Sequence, residues 1–428
     1  MLFTQKRRLI ATGLGSIFTC LLYSGCEDST QVDEPMPGVQ EKVVPICIPA
    51  VDAGPPPELL RPHFAKAQVV LDTDRPTEVI VGDFNNDNKL DLLVGVKLPI
   101  ALRMMLGNGD GTFAGTKEFP FAATDYIDLY SADLNGDGKL DVAISDHGRT
   151  SSMGAHSVSV VGSTQVLLGQ GDGTLGLTSL LTNYFLGRGL AIDDYNRDGK
   201  LDLAVANVSG GTVGVLEGTG DGAFVKQTHF VTAQTPTTIA HADINNDGKP
   251  DLVTLNDGFG KTLSAPASTR RQGAGLLSVR LGRGDGTFLP EIPTEADQRP
   301  LAVGLGDLDG DGKVDFALAN YGNGYVCVAG GKGDGTFHTP IAYPAGVDPY
   351  NLVLADINGD KNLDIVVGGG SVSVLLGKGN GVFYSPLIFD AAAFSTKVIV
   401  ADVNGDKKPD IVVSNRGASV SVLINDTP

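Results

Sequence analysis

Tryptophan is absent from this chain, and among its 428 residues histidine occurs six times and cysteine four times. Each scarcity excludes something. Cys20, Cys26, Cys47 and Cys327 are too few for a disulfide scaffold. Cys47 and Cys327 are able to pair, but their separation leaves that open. His63, His147, His156, His229, His241 and His338 are scattered. They give no zinc or copper cluster and no local sign of a Ser or Cys triad. Without Trp, only Tyr and Phe remain as aromatic platforms for a sugar. Lys and Arg number 32 against 50 Asp and Glu, a net charge of −18. Nucleic acid, which needs clustered cations, is thereby excluded as a partner.

What is present is glycine, 57 residues of it, with Val, Thr and Ser between turn residues. That is the texture of many short strands joined by tight turns. The N-terminus differs. Lys6, Arg7 and Arg8 precede an apolar stretch from Leu9 to Tyr23. The stretch is shorter than the ~20 residues that span a bilayer, so residues 1–25 read as an export signal. Ser24-Gly25-Cys26 resembles a bacterial lipoprotein cleavage box. That resemblance implies a lipid on Cys26 and a membrane partner through this anchor, at the cell envelope or surface. Ordinary cleavage nearby would instead give a secreted protein. Residues 26–62 carry Pro35, Pro37, Pro45, Pro49, Pro55, Pro56, Pro57 and Pro62, the composition of an extended, semi-rigid stalk.

From residue 63 to 428 the chain repeats itself. A nine-residue acidic loop occurs seven times, with Asp or Asn at positions 1, 3, 5 and 9. The copies are Asp83, Asn85, Asp87, Asp91; Asp133, Asn135, Asp137, Asp141; Asp194, Asn196, Asp198, Asp202; and Asp243, Asn245, Asp247, Asp251. They continue as Asp307, Asp309, Asp311, Asp315; Asp356, Asn358, Asp360, Asp364; and Asp402, Asn404, Asp406, Asp410. First-Asp spacings of 50, 61, 49, 64, 49 and 46 each fit one four-stranded propeller blade. A second motif, Gly-Asp-Gly-Thr-Phe at its clearest, alternates with the first but has only six copies. Short apolar runs fill the gaps. The expected fold is all-β, a seven-bladed propeller. The last unit lacks an outer strand, and residues 64–70 form an orphan strand before the first. Pairing these two closes the ring and leaves no open edge.

The loop chemistry suits Ca²⁺, a hard cation that takes six to eight oxygens. Side-chain oxygens at positions 1, 3, 5 and 9 and a carbonyl at 7 supply most of them. Glycine at position 6 permits the sharp turn. Plain Asx turns are the alternative for a single loop; seven in register favour up to seven structural Ca²⁺. Their +14 would offset most of the −18. The fifth loop, with four Asp, is expected to bind most tightly. The sixth and seventh, with Lys361 and Lys407 at position 6, are expected to be weakest.

These two motifs together resemble the FG-GAP/VCBS repeat, and the chain is similar to the N-terminal propeller of integrin α chains. The resemblance covers roughly residues 64–425. It implies that the acidic loop joins the first and second strands, that its calcium is structural, and that ligands are met on the opposite face or between blades. Insertions at 146–165 and 256–275 would emerge there, carrying His147, Arg149, Arg270 and Arg271. Tyr321 and Tyr325 flank a Gly-rich turn on the same side. The function so implied is cell-surface binding or adhesion, with a glycan or protein ligand. The alternatives are a propeller-type lyase or hydrolase, and a structural subunit of a surface assembly.

Overall fold

The computed structural model describes residues 47–427, apart from 73–74, 98–99, 120–126, 147–148, 154–155, 161–162, 183–186, 209, 233–235, 257–274, 298 and 418. The signal segment, Cys26, His147, Arg270 and Arg271 lie outside the described residues. Among the described residues there is one turn of 3-10 helix, Glu58–Leu60, and otherwise strand and turn.

Seven antiparallel sheets of four strands form the blades. In blade 1 the strands are Pro76–Gly82, Asp91–Lys97, Ile100–Gly107 and Phe113–Phe119, in that spatial order. The first strand of each blade lies innermost. These inner strands adjoin one another in sequence around the ring, and Ser395–Ala401 of blade 7 returns to Pro76–Gly82. Each second strand is covered on both faces by neighbouring blades, so Leu92, Leu93 and Val94 are fully buried and the run is apolar without alternation. Each such side chain contributes about 1.5–3 kcal/mol. The outer strand Phe113–Phe119 is almost wholly exposed and correspondingly polar.

The orphan strand closes the ring as expected. Gln68–Asp72 pairs antiparallel with Ser419–Leu423, the third strand of blade 7. Phe64 bridges Asn425 as Phe288, Phe337 and Phe383 bridge Gly282, Gly331 and Gly377. The seventh copy of the Gly-rich motif is therefore split between the chain ends: Phe64 supplies its aromatic and Asn425 stands at its glycine. The closing core joins Leu71, Val412 and Val422 of blade 7 to Val79 and Val94 of blade 1.

Residues 47–62, the described part of the expected stalk, belong to the same compact unit as the blades. Cys47 forms a disulfide with Cys327. Ile48 and Pro49 then pair in parallel with Ile341 and Ala342, adding a short fifth strand that covers the outer edge of blade 5. Farther on, Ser385 of blade 6 donates its amide to the Gly54 carbonyl and its hydroxyl to Asp52. Leu60 packs onto the core between blades 6 and 7. Proline did not hold this segment off the ring, because the disulfide and strand pairing fix it there. The 146–165 insertion contains a hairpin of its own, Arg149–Met153 with His156–Val160.

Candidate functional site

The inner strands give the ring two distinct ends. Each runs into its acidic loop, so all seven loops lie at one end. The strand starts, together with the turns between second and third strands, lie at the other.

At the acidic end the seven loops share one geometry. The first Asp accepts from the amide of position 5 at 2.9–3.2 Å and from that of position 6 at 2.7–2.9 Å. Position 6 is left-handed throughout: φ is 81° at Gly138, 63° at Asn88, 72° at Lys361 and 70° at Lys407. The two lysines thus adopt the turn that glycine makes at lower cost.

Position 9 is buried and clamps two segments. One oxygen accepts from the amide of position 2, at 2.8–3.1 Å. The other accepts, at 2.7–2.8 Å, from Gly107, Gly169, Gly218, Gly282, Gly331, Gly377 or Asn425 at the start of the Gly-rich turn. Burial raises these carboxyls above the ordinary Asp range, Asp202 to about 6 and Asp364 to about 7.

The loops are also joined around the circumference. Gly111, Gly173, Gly286 and Gly381 each donate to the position-2 carbonyl of the preceding blade: Val403, Phe84, Tyr195 and Leu308. In blade 7 the Asn425 side-chain amide makes this bond instead, to Ile357 of blade 6 at 3.1 Å.

The fifth loop, the one copy with Asp rather than Asn at position 3, brings three carboxylates close together. Asp307, Asp309 and Asp315 offer oxygens all within 4.8 Å of one another. Oxygens around one Ca²⁺ at 2.3–2.6 Å stand no more than about 5 Å apart. The position-5 carboxylates of loops 2, 4 and 5 pair with the lysine two residues on: Lys139 at 3.1 Å, Lys249 at 2.8 Å and Lys313 at 2.5 Å. These ion pairs are exposed and worth little, so an arriving divalent cation displaces them at small cost.

At the opposite end the channel between the inner strands opens into a cavity of about 500 Å³. Arg75, Lys97, Arg188, Arg416, Tyr350, Thr77 and Thr396 surround it, with Glu78 and Asp128 deeper. Below lies a second space of about 290 Å³, lined by Tyr130, Thr238 and Lys397 among others. Lys397 Nζ meets Glu78 Oε1 at 2.7 Å. Burial opposes the Lys397 charge, but Glu78, Tyr130 and Asp128 outweigh it and raise its pKa. Beside the cavity a chain of rings crosses blades 5 to 7. The Arg299 guanidinium lies 4.5 Å from the Tyr321 ring centre, and Tyr321, Tyr350 and Phe394 follow edge-to-face at 6.1 and 5.8 Å.

The structure places Tyr321 in this ring chain. Tyr325 is half-buried instead, its hydroxyl donating to Asp297 and accepting from Asn323. Arg149 lies on the insertion hairpin. The sequence reading did not single out Arg75, Arg188, Arg416 or Tyr350. Their signal was positional: Arg75 and Tyr350 precede an inner strand, Arg188 lies at the start of one, and Arg416 follows a second strand.

Both repeats now have a place in the fold. The FG-GAP-like repeat matches residues 96–144, 194–254, 307–367 and 365–413. This chain belongs to the FG-GAP-like repeat family. No curated protein sequence matches it. Among solved structures, this FG-GAP chain is similar to an Agrocybe aegerita lectin described for specific recognition of non-reducing terminal N-acetylglucosamine. The two share 19% identity over 75% of this chain and 81% of the lectin, with a TM-score of 0.50. It is also similar to BBS1N, solved in complex with ARL6DN, at 12% identity over 85% and 96% of the two chains, TM-score 0.57. A second BBS1N–ARL6DN structure gives 11% identity and the same TM-score, 0.57. At such identities the likeness is one of fold.

Proposed function

We propose that this protein is an exported, calcium-braced binding module that meets a glycan or protein ligand at the end of the ring opposite its acidic loops. The observation that carries this reading is the open polar cavity at that end. Concave sites of roughly 300–1,000 Å³ lined by a few convergent polar groups and rings are the usual form of ligand pockets.

Calcium serves the scaffold in this reading. Each ion neutralises three or four carboxylates and fixes the turn on which position 2 depends. Through position 2 it fixes the bond to the next blade. The likeness to a lectin agrees with glycan binding, and the export signal with a place at the cell envelope or outside the cell.

The test is a glycan array and a pull-down, each run with calcium and with a chelator, alongside calorimetry. A chelator is expected to lower Tm by many degrees, since occupancy at 100 times Kd adds about 2.7 kcal/mol per site. An unchanged Tm overturns the calcium reading. Absence of both sugar and protein capture overturns the binding reading.

A further inference from the structure

Resting on that reading, we infer that the cavity binds an acidic saccharide, whose carboxylate or sulfate ester is held by Arg75, Arg188 and Arg416. The three arginines come from blades 1, 3 and 7 and line one cavity. Among the described residues none of them forms an ion pair, whereas Arg61, Arg103 and Arg280 each meet a glutamate. Three guanidinium groups around one opening, none in an ion pair among the described residues, are notable in a chain of net charge −18. Glu78 and Asp128 line the same cavity, but with Lys97 the cations outnumber them four to two, which favours an anion there. Guanidinium is the side chain suited to planar, two-point contact with carboxylate, sulfate or phosphate oxygens.

The Arg75 backbone is fixed. Its φ is 60°, and its carbonyl accepts from the Lys97 amide at 3.1 Å. Arg299, also before a proline, repeats this turn in blade 5 with φ 55° and a bond from the Tyr321 amide at 3.2 Å, so the turn belongs to the blade and holds Arg75 in place.

Saccharide is favoured over acidic peptide by what else lines the cavity. Glu78 is already paired with Lys397, but Asp128 below the arginines would repel a second carboxylate of a polyacidic peptide, while its oxygens are able to accept from sugar hydroxyls. Tyr350, about one-third exposed at the rim, presents a ring for the apolar face of a pyranose. The size fits one or two sugar units. One charged group near the opening and hydroxyls inward is the arrangement these residues accommodate.

The experiment uses the full mature chain, saturated with calcium, and isothermal titration with four probes. These are galacturonate oligosaccharides, a sulfated neutral oligosaccharide, the unsulfated neutral parent, and poly-glutamate. Binding of either acidic sugar, lost with the neutral parent and weakened by added salt, is expected. Arg75→Gln, Arg188→Gln and Arg416→Gln should each weaken it about tenfold or more. All three arginines are exposed, so their variants should keep the wild-type Tm, which is measured alongside. Equal binding of neutral and acidic probes, insensitive to the three variants, overturns the acidic-saccharide assignment but leaves the binding module standing. Binding of poly-glutamate but neither acidic sugar overturns the choice of saccharide. No binding of any probe, with no capture on the array or pull-down, overturns both.

Discussion

Asn425 is where ring closure can be tested with one side chain. Six blades begin their Gly-rich turn with glycine, whose amide the position-9 carboxylate holds; blade 7 begins it with Asn425. The Asn425 side chain is 2% exposed. Its amide donates to Ile357 in blade 6 and to Pro409, both at 3.1 Å. Its oxygen accepts from the Thr427 amide at 3.2 Å. Asn425→Ala removes these and leaves two carbonyls without their donor. At about 1–3 kcal/mol per unsatisfied group, with some relief from water, the loss is about 3 kcal/mol. Unfolding entropy scales at about 2.1 cal/mol/K per residue, so a ring of this size should lose roughly 4 °C in Tm. Asn425→Asp should be worse, near 5 kcal/mol, because a carboxylate would face two carbonyl oxygens and the clamped Asp410. Differential scanning calorimetry at one fixed calcium concentration is the assay. An alanine variant within half a degree of wild type, or an aspartate variant as stable as alanine, would refute the closure argument.

Two further predictions follow from the loops. Lys361→Gly and Lys407→Gly should each stabilise the protein by about 0.5–1 kcal/mol, since both lysines sit in the left-handed region that glycine enters freely; urea midpoints measure this, and a loss in both would overturn it. In chelator, stability should fall as pH rises from about 4 to above 7. Asp202 and Asp364 have folded-state pKa values near 6 and 7, above the unfolded value, so the folded state holds more protons across that window. The fall is on the order of 5 kcal/mol, and urea titrations at pH 4.5 and 7.5 in chelator would read it. A rise with pH would refute it.

Most of the ring was legible in the sequence because its information is local. Nine residues suffice to write each acidic loop, and their spacing counts the blades. The missing seventh turn even announced the closure, since an open sheet edge needs a partner. What was illegible depended on distant chain meeting distant chain. Nothing near Cys47 says that it meets Cys327, 280 residues away. The docking of residues 47–62 followed from that bond, and proline composition alone pointed to a free stalk. Likewise Arg75, Arg188 and Arg416 are unremarkable until the closed ring brings blades 1, 3 and 7 around one opening. Asn425 looked like the residue after the last strand; its role as a substitute glycine appears only against the six other turns.

The ring's geometry also limits how its two ends can influence each other. An inner strand such as Pro76–Gly82, at about 3.3 Å per residue, separates the acidic loops from the cavity by roughly 20 Å. That exceeds the ~8 Å Debye length at physiological salt, so a loop cation exerts little direct pull on an anion in the cavity. Coupling between them therefore runs through the scaffold. Each loop fixes position 2, position 2 accepts a bond from the next blade at Phe84, Tyr195, Leu308, Ile357 and Val403, and the cavity takes its shape from three blades that are not all neighbours. Calcium at any loop then matters to the ligand only insofar as it keeps the ring closed. Losing one ion from a ring that stays folded should leave the arginines where they are, whereas opening the ring at Asn425 separates blade 7 from blade 6 and distorts the opening that Arg75, Arg188 and Arg416 share.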